Sequence, residues 1–178
     1  GVQLKLDRSG GVTAFCGATD IGQGSDTVLA GIVAEVLGID PLDVRVVTGD
    51  TDLTPVDLGS YSSRVTLMMG NAAIQAAERA RAILAGAAAA KLDVPESRIG
   101  FAARRVFDVE NPDAGMDFAE AVVAAEVTSG TIGTVGSYTP PKSPGRYRGA
   151  GVGPSATYSY SAAVVEVDEG EHAGEEMV

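Results

Sequence analysis

The sequence predicts an α+β fold in which helices pack on one face of a mixed β-sheet. Alternating apolar residues indicate strands, and apolar residues spaced three and four apart indicate helices. The two patterns do not follow a strict strand-helix alternation, which favours α+β over α/β. The chain has 178 residues, of which 45% are hydrophobic. A chain of this length buries about two thirds of its unfolded surface when it folds.

The first two strands form a predicted hairpin. Apolar and polar residues alternate from Val2 to Leu6 and again from Val12 to Gly17. Between them, Asp7-Arg8-Ser9-Gly10-Gly11 is typical of a turn. The strand pattern starts at once after Gly1, so we expect a piece of a longer protein.

A helix and a third strand follow this hairpin. Apolar residues with helical spacing begin near Ser25 or Asp26, and Gly38 is the expected cap at the carboxyl end. Pro41 then opens a short turn before an apolar strand from Val44 to Val47. The order of elements to this point is β, β, α, β.

A long loop and a long helix occupy the middle of the chain. The segment from Thr51 to Ser63 has no clear periodicity, and loops of this length are usually functional or disordered. One alanine-rich helix is predicted from Val65 to about Leu92. Ser62 or Ser63 would cap it. The serines are either caps only, or part of a second helix N-terminus that faces an anionic ligand.

A second hairpin and a third helix come next. Short strands are predicted at Ile99 to Ala102 and at Arg105 to Val109. Asp117 and Glu120 have the spacing of a capping box, which predicts a helix from Phe118 to Val127.

The last elements are two strands and a tail. Strands are predicted at Thr131 to Tyr138 and at Tyr158 to Val167, separated by a proline-rich loop that we expect to be a flexible linker. Residues 168–178 are rich in glutamate, and such charge runs are usually solvated. We therefore expect one partial domain over residues 1–167 and a disordered acidic tail over residues 168–178.

Composition excludes several classes of partner. The net charge of −11 does not fit a nucleic-acid-binding surface. Apolar runs are interrupted well before the length of about 20 residues that a membrane helix needs. The first residues do not resemble a signal peptide. We expect a cytoplasmic protein that binds neither nucleic acid nor membrane.

The single cysteine and the single histidine limit the possible catalytic machinery. Cys16 excludes an internal disulfide and any cysteine-based metal cluster within this chain, and we expect it to be a small buried residue. His172 lies in the acidic end segment and is expected to be solvated. Neither a Ser-His-Asp nor a Cys-His mechanism is therefore predicted.

The segment from Thr19 to Ser25 is the strongest candidate for a binding site. It connects a predicted strand to a predicted helix, and Gly22 and Gly24 allow a ligand to approach the backbone. The first turn of a helix presents unpaired N–H groups, which are suited to an anion such as phosphate. The alternative is an ordinary strand-to-helix turn without a ligand.

Two familiar glycine loops do not match this segment. A dinucleotide-binding fingerprint would need a third glycine where Thr27 stands. A Walker A loop that starts at Gly17 would need Lys and then Ser or Thr where Gln23 and Gly24 stand. The neutral amide of Gln23 suits a polar cofactor edge better than a triphosphate.

Three blocks of the sequence share their order and spacing with a known family. The blocks are Gly17 to Ser25, Arg45 to Asp52 and Gly59 to Arg64. Together they resemble the large subunit of the xanthine dehydrogenase family of molybdenum hydroxylases. Within that family, the residues are most similar to the alpha subunits of 4-hydroxybenzoyl-CoA reductases. The similarity covers about the first half of the chain and continues more weakly through Gly151 to Pro154 and through the last predicted strand.

The resemblance implies a cofactor and partners. The cofactor is molybdenum bound by molybdopterin, in bacteria often as the cytosine dinucleotide. The implied partners are the remainder of the large subunit and the subunits that carry 2Fe-2S clusters and FAD. The residues implied to contact the cofactor are Gly22, Gln23, Gly24, Ser25, Ser60, Tyr61, Ser62 and Ser63.

The chain departs from the family at the catalytic base. Family members carry a glutamate in a Gly-x-Gly-Glu segment, whereas Gly151-Val152-Gly153 is followed here by Pro154 and lies upstream of the expected position. After Val167 the sequence leaves the family pattern for the acidic tail, as a truncation or frameshift would produce. We assign no catalytic residue and no protein ligand to the metal.

Two functions stay open at this point. The first is a cofactor-binding fragment, inactive when isolated, of an enzyme that removes a phenolic hydroxyl from an aromatic acyl-CoA. Oxidative hydroxylation of an aldehyde, a purine or carbon monoxide is the near alternative. The second is a catalytically silent structural or interaction module of the same fold. Open strand edges would also permit association between copies of the chain.

Overall fold

The computed structural model describes residues 1–61, 64–140 and 162–167. The strands are β1 (Val2–Leu6), β2 (Val12–Cys16), β3 (Val44–Val47), β4 (Ile99–Ala102), β5 (Arg105–Asp108), β6 (Asn111–Asp117) and β7 (Gly133–Gly136). The helices are α1 (Ser25–Leu37), α2 (Gly70–Leu92) and α3 (Phe118–Ser129). The predicted helix caps Ser62 and Ser63 and the predicted acidic tail lie outside the described residues.

Four strands form a mixed sheet in the order β3-β2-β1-β7. β2 and β3 run parallel, and the other neighbours run antiparallel. Along β1, Val2, Leu4 and Leu6 are buried, whereas Gln3 and Lys5 are exposed. One face of the sheet thus packs against the helices and the other lies outside the core, which confirms the predicted fold class.

Helix α2 lies at the centre of the fold. It packs against α1, α3 and β7, because its small side chains permit close approach; the buried alanines are Ala72, Ala73, Ala76, Ala77, Ala80, Ala88 and Ala89. A Cβ added to Gly136 of β7 would lie 1.9 Å from the carbonyl oxygen of Ala72. The buried hydroxyl of Thr134 donates a hydrogen bond of 2.8 Å to the carbonyl oxygen of Ala76.

Three further strands form a separate antiparallel sheet in the order β4-β5-β6. Arg81 of α2 joins this sheet to the rest of the fold, because its guanidinium lies 4.8 Å from the ring centre of Phe101 and donates to the carbonyl oxygen of Val36. Within the sheet, the guanidinium of Arg98 pairs with the buried carboxylate of Asp108, with Nε 2.9 Å from Oδ1.

Most local predictions are confirmed. β1 and β3 have the predicted bounds, and the predicted hairpin of β4 and β5 is present. Gly38 caps α1 in the left-handed region with φ of 67°. Asp117 and Glu120 form the predicted capping box of α3. The long helix covers the predicted span, but its first turn, Val65–Met69, is a π-helix.

Two strand predictions need correction, and one strand was not predicted. The strand predicted from Thr131 to Tyr138 is only four residues long, β7. The described part of the strand predicted from Tyr158 to Val167, residues 162–167, is exposed and not in a strand, because an alternating pattern does not supply a partner strand. β6 was not predicted, because Asn-Pro-Asp-Ala-Gly lacks an apolar alternation. Among the described helices, none combines the length and the apolar character needed to cross a membrane.

Candidate functional site

The segment from Thr19 to Ser25 is a tight loop between β2 and α1. Gly22 and Gly24 have φ of 101° and 76°, in the left-handed region that favours glycine. A Cβ added to either glycine would meet no atom within 4 Å. The backbone conformation therefore favours glycine at both positions, and this side of the loop is open to a ligand.

The carboxylate of Asp20 organises this loop from within. Its Oδ1 accepts hydrogen bonds from the backbone N–H groups of Gly22 at 2.8 Å and Gly24 at 3.4 Å. Its Oδ2 accepts from the N–H of Asp26 at 3.3 Å. These bonds, that from Gly22 above all, hold the pKa of Asp20 below its ordinary value. The anion at the start of α1 in this structure is a side chain of the protein itself.

The side chain of Gln23 bonds within the same loop. Its Oε1 accepts from the N–H of Ile21 at 2.6 Å. Its Nε2 donates to the carbonyl oxygen of Thr19 at 3.3 Å and to Oγ of Ser25 at 3.1 Å. Gln23 is exposed, whereas Ser25 is buried. The amide thus crosses the loop and stiffens it while one side stays accessible.

The loop from Thr51 to Ser63, here called the second segment, meets the loop from Thr19 to Ser25, the first segment, through a pair of hydrogen bonds. Oγ of Ser60 donates to the carbonyl oxygen of Thr19 at 2.6 Å and accepts from the N–H of Thr19 at 3.2 Å. Close to this contact, Gly17 approaches the chain at Pro55, where an added Cβ would lie 2.1 Å from the carbonyl oxygen. The two segments, distant in sequence, therefore form one loop cluster.

Arg64 contacts the second segment at three residues. Nη1 of Arg64 lies 3.6 Å from Oδ1 of Asp57 and donates to the carbonyl oxygen of Gly59. Its guanidinium lies 5.5 Å from the ring centre of Tyr61. Oδ1 of Asp57 also accepts from the N–H of Gly59 at 2.8 Å, the same Asp-x-Gly turn as in the first segment. The positive charge of Arg64 is thus balanced locally by Asp57.

The block from Arg45 to Asp52 also reaches the loop cluster. Oγ1 of Thr48, just after β3, lies 3.5 Å from Oδ2 of Asp26 in the first turn of α1. Oδ1 of Asp26 is buried and has no hydrogen-bond partner among the described residues. Burial, together with the negative charge of Asp20, raises the pKa of Asp26 above its ordinary value.

The predicted site residues therefore fall in two groups that touch. Gly22, Gln23, Gly24 and Ser25 lie in the first segment, Ser60 and Tyr61 lie in the second, and Ser62 and Ser63 lie outside the described residues. Sequence reasoning missed Asp20, Asp57 and Arg64. The signal for both aspartates was present, because an aspartate two residues before a glycine is typical of an Asx-turn.

Exposed apolar side chains accompany these polar turns. Tyr61 is 55% exposed and Ile21 is 71% exposed, although both lie next to the contact between the two segments. Other exposed apolar residues of the second segment are Leu53, Val56 and Leu58. Exposed apolar groups beside an open, hydrogen-bonded loop are typical of a binding surface. Together, the exposed amide of Gln23 and these apolar side chains fit a cofactor that offers neutral polar edges and rings.

Comparison with known proteins shows the family. The family described as "Molybdopterin cofactor-binding domain" matches residues 1–176. A xanthine dehydrogenase molybdenum-binding subunit from Escherichia coli O157:H7 is 48% identical over 65 residues, which cover 36% of this chain and 9% of that protein. A carbon monoxide dehydrogenase large chain from Afipia carboxidovorans is 37% identical over 94 residues, 53% of this chain and 12% of that protein.

Solved structures agree with the sequence relatives. CO dehydrogenase from Oligotropha carboxidovorans superimposes with a TM-score of 0.71 and 30% identity, covering 79% of this chain and 18% of that chain. Quinoline 2-oxidoreductase from Pseudomonas putida 86 gives a TM-score of 0.71 and 29% identity, covering 78% and 19%. The chain thus spans less than a fifth of the length of either structure. It belongs to the molybdopterin cofactor-binding domain family of the molybdenum hydroxylases.

Proposed function

We propose that the loop cluster of the first and second segments is where this chain contacts molybdopterin. The observation that carries the proposal is the pair of hydrogen bonds between Ser60 and Thr19, which joins the two segments that the sequence had marked independently. The proposed contact residues are Gly22, Gln23, Gly24, Ser25, Ser60, Tyr61, Ser62 and Ser63.

The described residues fit a pyranopterin better than a bare phosphate. The open side of Gly22 and Gly24 admits a ring system close to the backbone, and the exposed amide of Gln23 can exchange its loop bonds for bonds to a polar edge. Tyr61 offers an aromatic face beside it. When bound, the molybdenum centre supplies the redox chemistry, and this chain binds and orients the cofactor.

The reaction we propose is reductive removal of a phenolic hydroxyl from an aromatic acyl-CoA, as in 4-hydroxybenzoyl-CoA reductases. This choice rests on the resemblance of Gly17 to Ser25 and Gly59 to Arg64 to the alpha subunits of those reductases. The matched xanthine dehydrogenase and carbon monoxide dehydrogenase chains are named for oxidative reactions, which keeps oxidative hydroxylation as the alternative. We further propose the cytosine dinucleotide form of the cofactor and a cytoplasmic complex with 2Fe-2S and FAD subunits. A relative that is 47% identical over 74 residues is named as subunit gamma of a dehydrogenase complex from Paenarthrobacter nicotinovorans, which supports a multi-subunit assembly.

The binding site is tested with molybdopterin released from a purified molybdoenzyme. Binding to this chain is measured by equilibrium dialysis, with detection of the fluorescent oxidation product of the pterin. The Gln23→Ala variant should bind about tenfold more weakly than the unmodified chain. Gln3→Ala, an exposed glutamine on the polar face of β1, is the control and should bind normally. Equal binding by Gln23→Ala would contradict the site.

The substrate is tested in a complex that contains a complete large subunit with these residues. Consumption of 4-hydroxybenzoyl-CoA with a reduced electron donor would support the reductase. Turnover of xanthine or carbon monoxide, and not of the acyl-CoA, would support the oxidative alternative.

A catalytically silent module is the second candidate. One observation favours it: the carboxylate of Asp20 already accepts from the N–H groups of Gly22 and Asp26, so that no ligand is needed to satisfy these donors. A folded chain that binds no molybdopterin in the dialysis experiment would support this candidate.

A further inference from the structure

We propose that Asp20 is the positioning residue of the cofactor-binding loop, and that its carboxylate holds the loop in its binding shape before any ligand arrives. This inference rests on the proposed function for its meaning, because it concerns how the first segment meets molybdopterin. It adds a residue that makes no cofactor contact in the proposed site. With Asp20 in this role, no anion from the cofactor is needed at the start of α1.

The carboxylate of Asp20 accepts hydrogen bonds from three backbone N–H groups. Its two oxygens accept from N–H groups of Gly22, Gly24 and Asp26, which lie two, four and six residues further along the chain. The residue at the N-cap position, Gly24, has no side chain with which to cap α1. Asp20 therefore performs the capping from outside the helix and fixes the loop at the same time.

The carboxylate also stabilises one conformation of a loop that contains two left-handed glycines. Two left-handed glycines in three residues give the unfolded loop many alternative shapes, so that ordering it costs conformational entropy. The bonds from Gly22 and Gly24 end on the same oxygen of Asp20 and select one of those shapes. A loop that is already ordered binds its ligand without that cost.

The bonds of Gln23 and Ser60 depend on this conformation of the loop. Gln23 bonds to the N–H of Ile21 and to the carbonyl oxygen of Thr19, two backbone groups whose positions depend on the conformation of the loop. Ser60 bonds to the backbone of Thr19, the residue before Asp20. Loss of the carboxylate should therefore disturb both groups of proposed contact residues, although Asp20 itself need not touch the cofactor.

The carboxylates of Asp20 and Asp26 also disfavour an anionic ligand at the start of α1. An incoming phosphate that took the same N–H groups would have to displace a carboxylate and would lie near the carboxylate of Asp26 as well. The guanidinium of Arg64, a basic group of the loop cluster, is already paired with the carboxylate of Asp57. The cluster therefore favours neutral polar groups of a ligand over an anion at this position.

The experiment compares two substitutions at Asp20 by amide hydrogen exchange in the unliganded chain. Asp20→Ala removes every acceptor, so exchange at Gly22, Gly24 and Asp26 should be faster by about tenfold or more. Asp20→Asn keeps one acceptor oxygen, so Gly22 and Gly24 should stay protected while Asp26 loses protection. Asp7→Ala is the matched control, because Asp7 accepts from Ser9 and Gly11 in a remote turn.

Molybdopterin binding by the same variants completes the test. Molybdopterin binding should weaken by about tenfold in Asp20→Ala and by much less in Asp20→Asn, with no change in Asp7→Ala. Unchanged amide exchange in Asp20→Ala, or a gain of protection at Gly22 when inorganic pyrophosphate is added to the unmodified chain, would overturn the inference. If the unmodified chain binds no molybdopterin, the proposed function fails, while the exchange measurements still decide the role of Asp20.

Discussion

The hydroxyl of Ser60 bonds to both polar groups of the Thr19 backbone, donating to its carbonyl oxygen at 2.6 Å and accepting from its N–H at 3.2 Å. A side chain that satisfies a donor and an acceptor of one residue fixes the separation and the orientation of two loops. The two loops are the ones that contain the proposed cofactor contacts. One serine, 41 residues away in sequence, therefore helps to set their relative position, together with the close approach of Gly17 to Pro55.

Replacement of Ser60 tests this link. Ser60→Ala removes both bonds, and we expect the free energy of unfolding to fall by about 1 kcal/mol, with weaker molybdopterin binding. Urea denaturation and the dialysis assay measure the two effects. Ser97→Ala, an exposed serine of the turn before β4, should change neither quantity. Binding that is unaffected in Ser60→Ala would show that the link is only structural.

The sequence predicted elements well where the determining signal is local. The bounds of β1 and β3, the Gly38 cap and the Asp117 capping box each follow from a few neighbouring residues, because burial period and backbone caps are short-range effects. The strand β6 depends instead on pairing with β5, and its own residues contain Pro112 and Gly115, which disfavour strands. β5 ends only two residues before β6, but the residues of β6 alone do not indicate this pairing.

The candidate site was predictable in its location and not in its internal bonding. Two segments stood out because of their glycines and hydroxyls, but the contact of Ser60 with Thr19 depends on tertiary structure. The sequence favoured unpaired N–H groups at the start of α1, whereas Asp20 accepts from the N–H of Asp26 in the first turn and from those of Gly22 and Gly24 before it. The Asp-x-Gly spacing carried that information, and a ligand-centred interpretation of the glycines passed over it.

Cys16 should be unreactive while the chain is folded. The thiol is 0% exposed, and burial raises its pKa, so that both access and the thiolate form are lacking. We expect labelling by a maleimide to be about a thousandfold or more slower in buffer than in guanidinium chloride, because reaction requires opening of the core. The rate is measured by mass spectrometry. Rapid labelling in buffer, at a rate close to that of the unfolded chain, would contradict burial of β2.

The contact between β7 and α2 should tolerate no side chain at Gly136. An added Cβ would lie 1.9 Å from the carbonyl oxygen of Ala72 and 2.7 Å from the nitrogen of Ala76, both of them backbone atoms that cannot rotate away. We expect Gly136→Ala to lower the free energy of unfolding by about 2 to 3 kcal/mol. Gly133→Ala, in the same strand, meets its nearest atom at 3.8 Å and should cost less than about 0.5 kcal/mol. Equal stability of the two variants in urea would refute this packing.

The pair of Arg98 and Asp108 should make the stability of the chain dependent on pH. Hydrogen bonds from Arg98 hold the pKa of the Asp108 carboxyl below its ordinary value. Since the pKa is lower in the folded state, the stabilisation is complete above the unfolded value of about 3.9 and is lost as the pH falls through the folded value.

Arg98→Gln should therefore be less stable than the unmodified chain at pH 7, because the buried carboxylate of Asp108 loses its charged partner. The difference in unfolding free energy should narrow as the pH is lowered below about 4, where the unfolded carboxyl becomes protonated. Urea denaturation at several pH values measures it. Arg8→Gln, which breaks the exposed pair with Glu126, should have little effect at any pH. A difference for Arg98→Gln that stays constant from pH 7 to the acid range would show that Asp108 does not depend on Arg98 for its charge.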